Sequence, residues 1–160
     1  MITNLPVSLA RPADAEAIAT LSKDVIEYGL AWSWTPARVL RSIHDRDANV
    51  IVARDGETLV GFGIMKYRDT NAHLFLLAVD PARRRQGVGA ALMQWLETCA
   101  ITAGLGGIRL EVRASNEPAI AFYQRLDYAQ TAVLAKYYQG TEDAIVFEKR
   151  LHSGWPDHQV

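Results

Sequence analysis

Arginines and glycines stand together in Val79-Asp80-Pro81-Ala82-Arg83-Arg84-Arg85-Gln86-Gly87-Val88-Gly89. Glycine lets the main chain approach an anion closely. Guanidinium groups add charge-assisted donors suited to phosphate. An apolar run, Leu74 to Val79, precedes the loop, and an apolar-periodic helix follows at once. Strand, glycine loop and helix start in that order aim orphan amides and the positive end of the helix dipole at one anion. The spacing Arg84-x-x-Gly87-x-Gly89 is neither G-x-x-x-x-G-K-[ST] nor G-x-G-x-x-G. A nucleotide-hydrolysing P-loop and a dinucleotide fingerprint are thereby excluded.

A second set of residues suits proton transfer. His73 heads the apolar run, and an imidazole titrating near neutrality can take a proton from an amine. Glu111 lies in Ile108-Arg109-Leu110-Glu111-Val112-Arg113 and alternates onto one strand face with two arginines. Tyr123 follows Asn116 by seven residues, about two turns along the same helix face. Asn116 itself can cap that helix.

These residues need elements to hold them. Val7 to Ala10 reads as a short strand. A helix opens at Arg11-Pro12-Ala13-Asp14 and carries Ala17, Ile18, Leu21, Val25 and Ile26 at helical spacing. Thr35 caps a second helix with Pro36 in its first turn and Val39, Leu40 and Ile43 on its apolar face. Strands over Asn49 to Arg54 and Thr58 to Tyr67 are joined by Asp55-Gly56, a hairpin signal. His73 to Val79 is a strand, Gly87 to Ala103 a long helix that stops near Gly104, Gly106 and Gly107, and Ile108 to Arg113 a strand. Asn116 to Leu126 is a helix, and Tyr128 to Tyr137 and Ala144 to Lys149 are closing strands. The pattern predicts an α/β (α+β) domain over 1–150, with a mixed, mostly antiparallel sheet and flanking helices. His73 to Arg113 forms a βαβ unit whose two strands are parallel, with a right-handed crossover. Leu151 to Val160 reads as a loose tail.

Bulk properties exclude several classes. A chain of 160 residues with net charge −1 gives no electrostatic case for nucleic acid or an anionic membrane. No apolar stretch is long enough to span a bilayer. Met1-Ile2-Thr3-Asn4 lacks the charged start of a signal peptide, so a cytoplasmic location is expected. The single cysteine, Cys99, falls on the stripe Val88, Leu92, Trp95, Leu96, Cys99 and reads as a buried structural thiol. The histidines show no metal-ligand spacing, and no metal is expected.

The arginine loop resembles the R/Q-x-x-G-x-G/A motif of the GNAT superfamily, the acetyl-CoA-dependent N-acetyltransferases. Ile108 to Tyr128 resembles the second GNAT motif, L-x-V-x-x-x-N-x-x-A-x-x-x-Y-x-x-x-G-F, with Asp127 where the family has glycine. That position often needs φ > 0, which Asp tolerates better than most residues. Ala135-Lys136-Tyr137-Tyr138, with Glu142-Asp143-Ala144, resembles a signature of N-terminal protein acetyltransferases, the bacterial ribosomal-protein-alanine enzymes among them. Those enzymes share L-E-V-R-x-S-N, matched by Leu110 to Asn116, and a Trp-Ser segment echoed by Trp32-Ser33.

The resemblance implies a GNAT fold whose parallel strands splay to admit the pantetheine arm of acetyl-CoA. Arg84, Arg85, Gln86, Gly87, Val88 and Gly89 would hold the pyrophosphate. Leu77, Ala78 and Val79 would pair with the pantetheine amides as if with an added strand. Asn116 matches a family residue beside the cofactor. Tyr123 matches the tyrosine that protonates the leaving thiolate. Glu111 matches a family glutamate and His73 stands where other members carry a base, which leaves the choice between them open. The acceptor wall is expected from Trp32 and Trp34 in the Tyr28 to Trp34 loop, with Tyr137 and Tyr138. The loop equally suits a hydrophobic latch over the core. The implied activity is acetyl transfer from acetyl-CoA to a primary amine, with a peptide or protein N-terminal α-amine as the leading acceptor. The alternatives are a small amine such as a polyamine or aminoglycoside, and an idle acyl-CoA-binding module. Monomer and homodimer both remain open.

Overall fold

Asp55-Gly56 turns the chain as its chemistry requires. Gly56 has φ 61, and Asp55 pairs with Thr58 across a two-residue turn. The hairpin belongs to a seven-stranded sheet in the computed structural model, which describes residues 4–151. The strands are β1 (Val7–Leu9), β2 (Ala48–Asp55), β3 (Thr58–Tyr67), β4 (Asn71–Val79), β5 (Gly107–Arg113), β6 (Ala129–Tyr138) and β7 (Glu142–Arg150). The helices are α1 (Ala15–Val25), α2 (Pro36–His44), α3 (Val88–Thr102) and α4 (Glu117–Arg125). The sheet order is β1-β2-β3-β4-β5-β7-β6, mostly antiparallel, with β4 and β5 parallel. The β4–β5 pairing runs from Asn71↔Gly107 to Leu74↔Leu110, and β4 continues as strand beyond it.

Contacts gather the chain into two compact units, residues 4–66 with 75–96 and residues 67–74 with 97–151. In the first, Ala15, Ile18 and Ala19 of α1 and Val39 of α2 pack with Val50, Val52, Phe62, Ile64, Leu76 and Ala78. Burying each large side chain contributes about 1.5–3 kcal/mol. Thr35 caps α2 by accepting from Arg38 N–H. A 3-10 turn over Pro12–Asp14 precedes α1. Asp14 accepts from Arg11 N–H at 2.7 Å and from Arg54 Nη2 at 2.5 Å. Burial opposes ionisation of Asp14, but these partners outweigh it and hold its carboxyl below the usual range.

Gly61 positions the start of α3. A Cβ there would meet Val88 Cγ1 at 3.1 Å, Ala78 O at 3.2 Å and Leu92 Cδ1 at 3.2 Å. A side chain there would push Val88, at the head of α3, back from β3 by a few tenths of an ångström.

The second unit carries β5, β7 and β6 side by side, with α4 between β5 and β6 in the chain. Tyr123 of α4 packs edge-on to Phe122 and Tyr128 and tilted against Phe147. Tyr128 Oη donates to Glu97 at 2.8 Å, and Lys149 Nζ pairs with the same carboxylate at 3.2 Å. α4 ends with Asp127 at φ 68, the left-handed conformation expected where the family has glycine.

Several expectations are corrected. Ala17 faces solvent, because the inner face of α1 is the i, i+3, i+4, i+7 stripe Ala15, Ile18, Ala19 and Ser22, and Ala17 stands off it. Cys99 is half-buried rather than core, while Met93 and Ala100 are buried. Burial still raises the Cys99 thiol, so it remains a poor nucleophile. Leu151, placed in the tail, is buried and donates its N–H to Gly106 O at 3.0 Å. The rest of the expected tail lies outside the described residues.

Candidate active site

The arginine loop is built by its own local bonds. Asp80 N–H donates to Val60 O at 2.8 Å, and its side chain accepts from Ala82 N–H at 3.0 Å. A single 3-10 turn, Pro81–Arg83, follows. Arg83 pairs with Asp55 at 2.7 Å and donates Nε to the Gln86 side chain at 3.2 Å. Arg83 is therefore a brace between hairpin and loop. Arg85 at φ 64 and Gly87 at φ 79 flank Gln86 with two left-handed residues. Such reversals turn successive amides toward one side, a geometry suited to anions. Among the described residues, the amides of Gly87, Val88 and Gly89 have no protein acceptor. They head α3, whose first-turn amides lack intrahelical partners. An anion of pyrophosphate type fits these donors.

The parallel pairing places His73 opposite Arg109. Glu111 lies two residues further along β5, on the same face. His73 Nε2 lies 2.6 Å from Glu111 Oε1, and Arg109 Nε donates to Glu111 Oε2 at 3.0 Å. The Glu111 side chain is only 7% exposed. Burial disfavours its charge, but the bonds and charges of His73 and Arg109 outweigh that and hold its carboxyl below the ordinary range. Tyr137 Oη donates to Glu111 Oε1 at 3.5 Å, the outer limit of a hydrogen bond. Burial, then the Glu111 charge, raise the Tyr137 phenol. Tyr138 packs edge-on against Tyr137 with ring centroids 5.0 Å apart.

Tyr123 is 6% exposed, and its hydroxyl has no hydrogen-bond partner among the described residues. Burial, then the neighbouring Tyr138, push its phenol far up, so it stays protonated. A buried hydroxyl without a partner costs stability unless a ligand supplies one. Asn116 caps α4 by accepting from Ala119 N–H at 3.2 Å.

The structure thus brings His73, Glu111 and Tyr137 together and places Tyr123 in the same compact unit. Trp34, expected at the acceptor wall, is a core residue. It packs on Phe75 at 6.0 Å, with the Arg38 guanidinium 3.8 Å over its ring. Trp32 remains exposed, with Lys23 Nζ 5.1 Å from its ring centre. The sequence reading missed Glu27, a buried carboxylate that accepts from Ser33 N–H at 2.8 Å and Trp34 N–H at 3.2 Å. It closes the connection between α1 and α2. An acidic residue just past an apolar helix and before Trp-Ser was the available signal.

Residues 17–128 match the Acetyltransferase (GNAT) family model. The chain belongs to the GNAT family. It is accordingly an N-acetyltransferase, like the relatives that bear that name. It is 34% identical to the ribosomal protein bS18-alanine N-acetyltransferase of Escherichia coli strain K12 over 119 residues, which are 72% of this chain and 80% of the relative. The crystal structure of the Escherichia coli enzyme superposes with a TM-score of 0.79 at 28% identity, covering 91% of this chain and 93% of that one. Ard1 from Thermoplasma volcanium gives 0.80 at 28% identity, covering 91% and 96%. An aminoglycoside 6'-N-acetyltransferase complexed with coenzyme A shares the fold, with a TM-score of 0.78 at 19% identity, covering 92% and 97%. No described helix is long and apolar enough to cross a membrane, and no group of metal-ligating side chains occurs among the described residues.

Proposed function

We propose that this GNAT enzyme transfers acetyl from acetyl-CoA to the N-terminal α-amine of a peptide or protein, and that residues 1–150 act as one catalytic domain. The family match runs through both compact units, which supports the single domain. Acetyl-CoA supplies the activated acetyl thioester. The left-handed turn at Arg85 and Gly87 and the amides of Gly87, Val88 and Gly89 hold its pyrophosphate, with Arg84, Arg85 and Gln86 alongside. Leu77, Ala78 and Val79 lie past the last β4–β5 pair and offer main-chain groups to the pantetheine amides.

Glu111 and His73 act as a unit at the amine. The carboxylate orients the ring through Nε2, and the pair accepts the proton, directly or through water. Tyr123 Oη carries the proton that the departing thiolate takes. That its hydroxyl has no partner among the described residues supports this role.

One observation favours a peptide terminus over a polycation. Two carboxylates beside the tyrosines are already engaged, Glu111 by the Arg109 ion pair and its hydrogen bond to His73, and Glu142 by Arg113. A polyamine or aminoglycoside would find neither available as a counter-ion. An α-amine also has a reference pKa near ~8 against ~10.4 for lysine, so a modest base suffices near neutral pH. The bS18-alanine relative supports the same class. Free-thiol release from acetyl-CoA tests the reading with alanine-terminated peptides, polyamines and aminoglycosides compared side by side. Release with peptides supports it. Release with none of them indicates an idle acyl-CoA-binding module.

A further inference from the structure

Glu142-Asp143-Ala144 has no role in the chemistry above, yet its carboxylates tie the region together. Glu142 opens β7 and pairs with Tyr138 across the hairpin. Its Oε1 accepts from Arg113 Nε at 2.8 Å and lies 2.7 Å from Arg113 Nη2. Its Oε2 accepts from Ser115 N–H at 3.1 Å and from the Ser115 hydroxyl. Arg113 ends β5, and Ser115 belongs to the turn that launches α4, where Asn116 N–H donates to Arg113 O at 2.9 Å. The next residue repeats the tie. Asp143 Oδ1 accepts from Lys136 N–H at 2.8 Å, and Asp143 O accepts from Ala114 N–H at 3.0 Å.

The hairpin needs such ties. Lys136 has φ 52 and Gln139 φ 55, and the β6–β7 register shifts between Leu134 and Tyr138. Tyr137 and Tyr138 therefore sit between two left-handed non-glycine residues, a conformation that persists only when its surroundings fix it. The same bulge brings the Tyr137 hydroxyl to Glu111.

We propose that Glu142 is a positioning residue for acceptor recognition, its carboxylate clamping the Tyr137–Tyr138 hairpin to Arg113 and Ser115 and so fixing that hairpin relative to Glu111. The inference rests on the reading of Tyr137 and Tyr138 as the acceptor wall. Glu142 acts through the tyrosines and touches neither reactant. Arg113-x-Ser115 and Glu142-Asp143 are thereby two halves of one clamp, although they lie far apart in the chain.

The test uses the full chain, acetyl-CoA and a short peptide with a free N-terminal alanine. Glu142→Gln keeps the size but loses the charge-assisted bonds to Arg113. Ser115→Ala removes the hydroxyl bond of the other arm, leaving the residue-115 N–H bond, and serves if the first variant does not fold. Both should raise peptide KM by about tenfold, the scale of one lost charge-assisted hydrogen bond. They should leave kcat and the KM for acetyl-CoA within about twofold, because the reacting groups are untouched. Amide hydrogen exchange should quicken across residues 136–143 and stay unchanged across 109–112. Glu142→Asp, which keeps the charge, should recover part of the peptide KM. Unchanged exchange in the hairpin overturns the proposal. So does faster exchange with unchanged peptide KM, or a rise confined to the KM for acetyl-CoA. If the wild type leaves the peptide unmodified, the peptide reading fails separately. The same comparisons on the amine it does acetylate then decide the role of Glu142.

Discussion

His73 Nε2 and Glu111 Oε1 are 2.6 Å apart, joining two parallel strands through side chains that the sequence separates by 38 residues. The carboxylate is buried and stays ionised because His73 and Arg109 oppose the cost of burial. Folding therefore lowers the Glu111 pKa. The unfolded chain binds the proton at higher pH than the folded one. The stability that the charge contributes is complete above the unfolded value, ~4.3, and is lost as pH falls through the lowered folded value. Glu111→Gln should cost about 1–2 kcal/mol at neutral pH, since Arg109 and His73 reach solvent. Denaturant melts at pH 7 and pH 3 should show that gap shrinking at the lower pH. Its activity should fall most at acidic pH and recover as free amine becomes abundant.

Tyr123→Phe separates chemistry from packing. The ring contacts with Phe122, Tyr128 and Phe147 survive, and among the described residues the hydroxyl has no partner to lose. The variant should be as stable as wild type or more so. Turnover should drop by about 10²-fold, the size of a proton-transfer contribution. Thermal melts and single-turnover rates, measured together, check both halves.

Gly87→Asp should abolish tight acetyl-CoA binding. Asp tolerates the left-handed φ 79 better than most residues, but its carboxylate adds bulk and negative charge where phosphate must sit. Calorimetry on the folded variant should show affinity lower by at least about tenfold. Unchanged affinity would remove the phosphate loop from the account.

Gly61→Val should destabilise the protein by about 1–3 kcal/mol through overpacking. The Cβ alone would stand 3.1 Å from Val88 and 3.2 Å from Leu92 and the Ala78 carbonyl, before the methyls are added. Because Val88 heads α3, acetyl-CoA affinity should fall as well. Denaturation and calorimetry on this variant report the two effects.

Local chemistry made much of this legible. The Asp55-Gly56 turn and the Thr35 and Asn116 caps follow from residue type and the left-handed Asp127 from the resemblance to the family motif, and each is where the sequence puts it. His73 and Glu111 were identifiable singly, but their pairing depends on the register His73↔Arg109, which spacing does not encode. Trp32 and Trp34 look equivalent in sequence. Glu27 decides between them by binding the Trp34 amide and leaving Trp34 in the core. Glu142 was visible only as part of a signature, because its partners Arg113 and Ser115 meet it across the sheet and not along the chain. Long-range carboxylate ties are the layer that pattern reading does not reach.

Acceptor identity is tested most directly by incubating the enzyme and acetyl-CoA with one peptide that carries both a free N-terminal alanine and an internal lysine. Tandem mass spectrometry then maps the product. The account predicts acetyl on the α-amine with the lysine unmodified. Acetyl found only on lysine, or transferred only to a polyamine or aminoglycoside in parallel reactions, would contradict it.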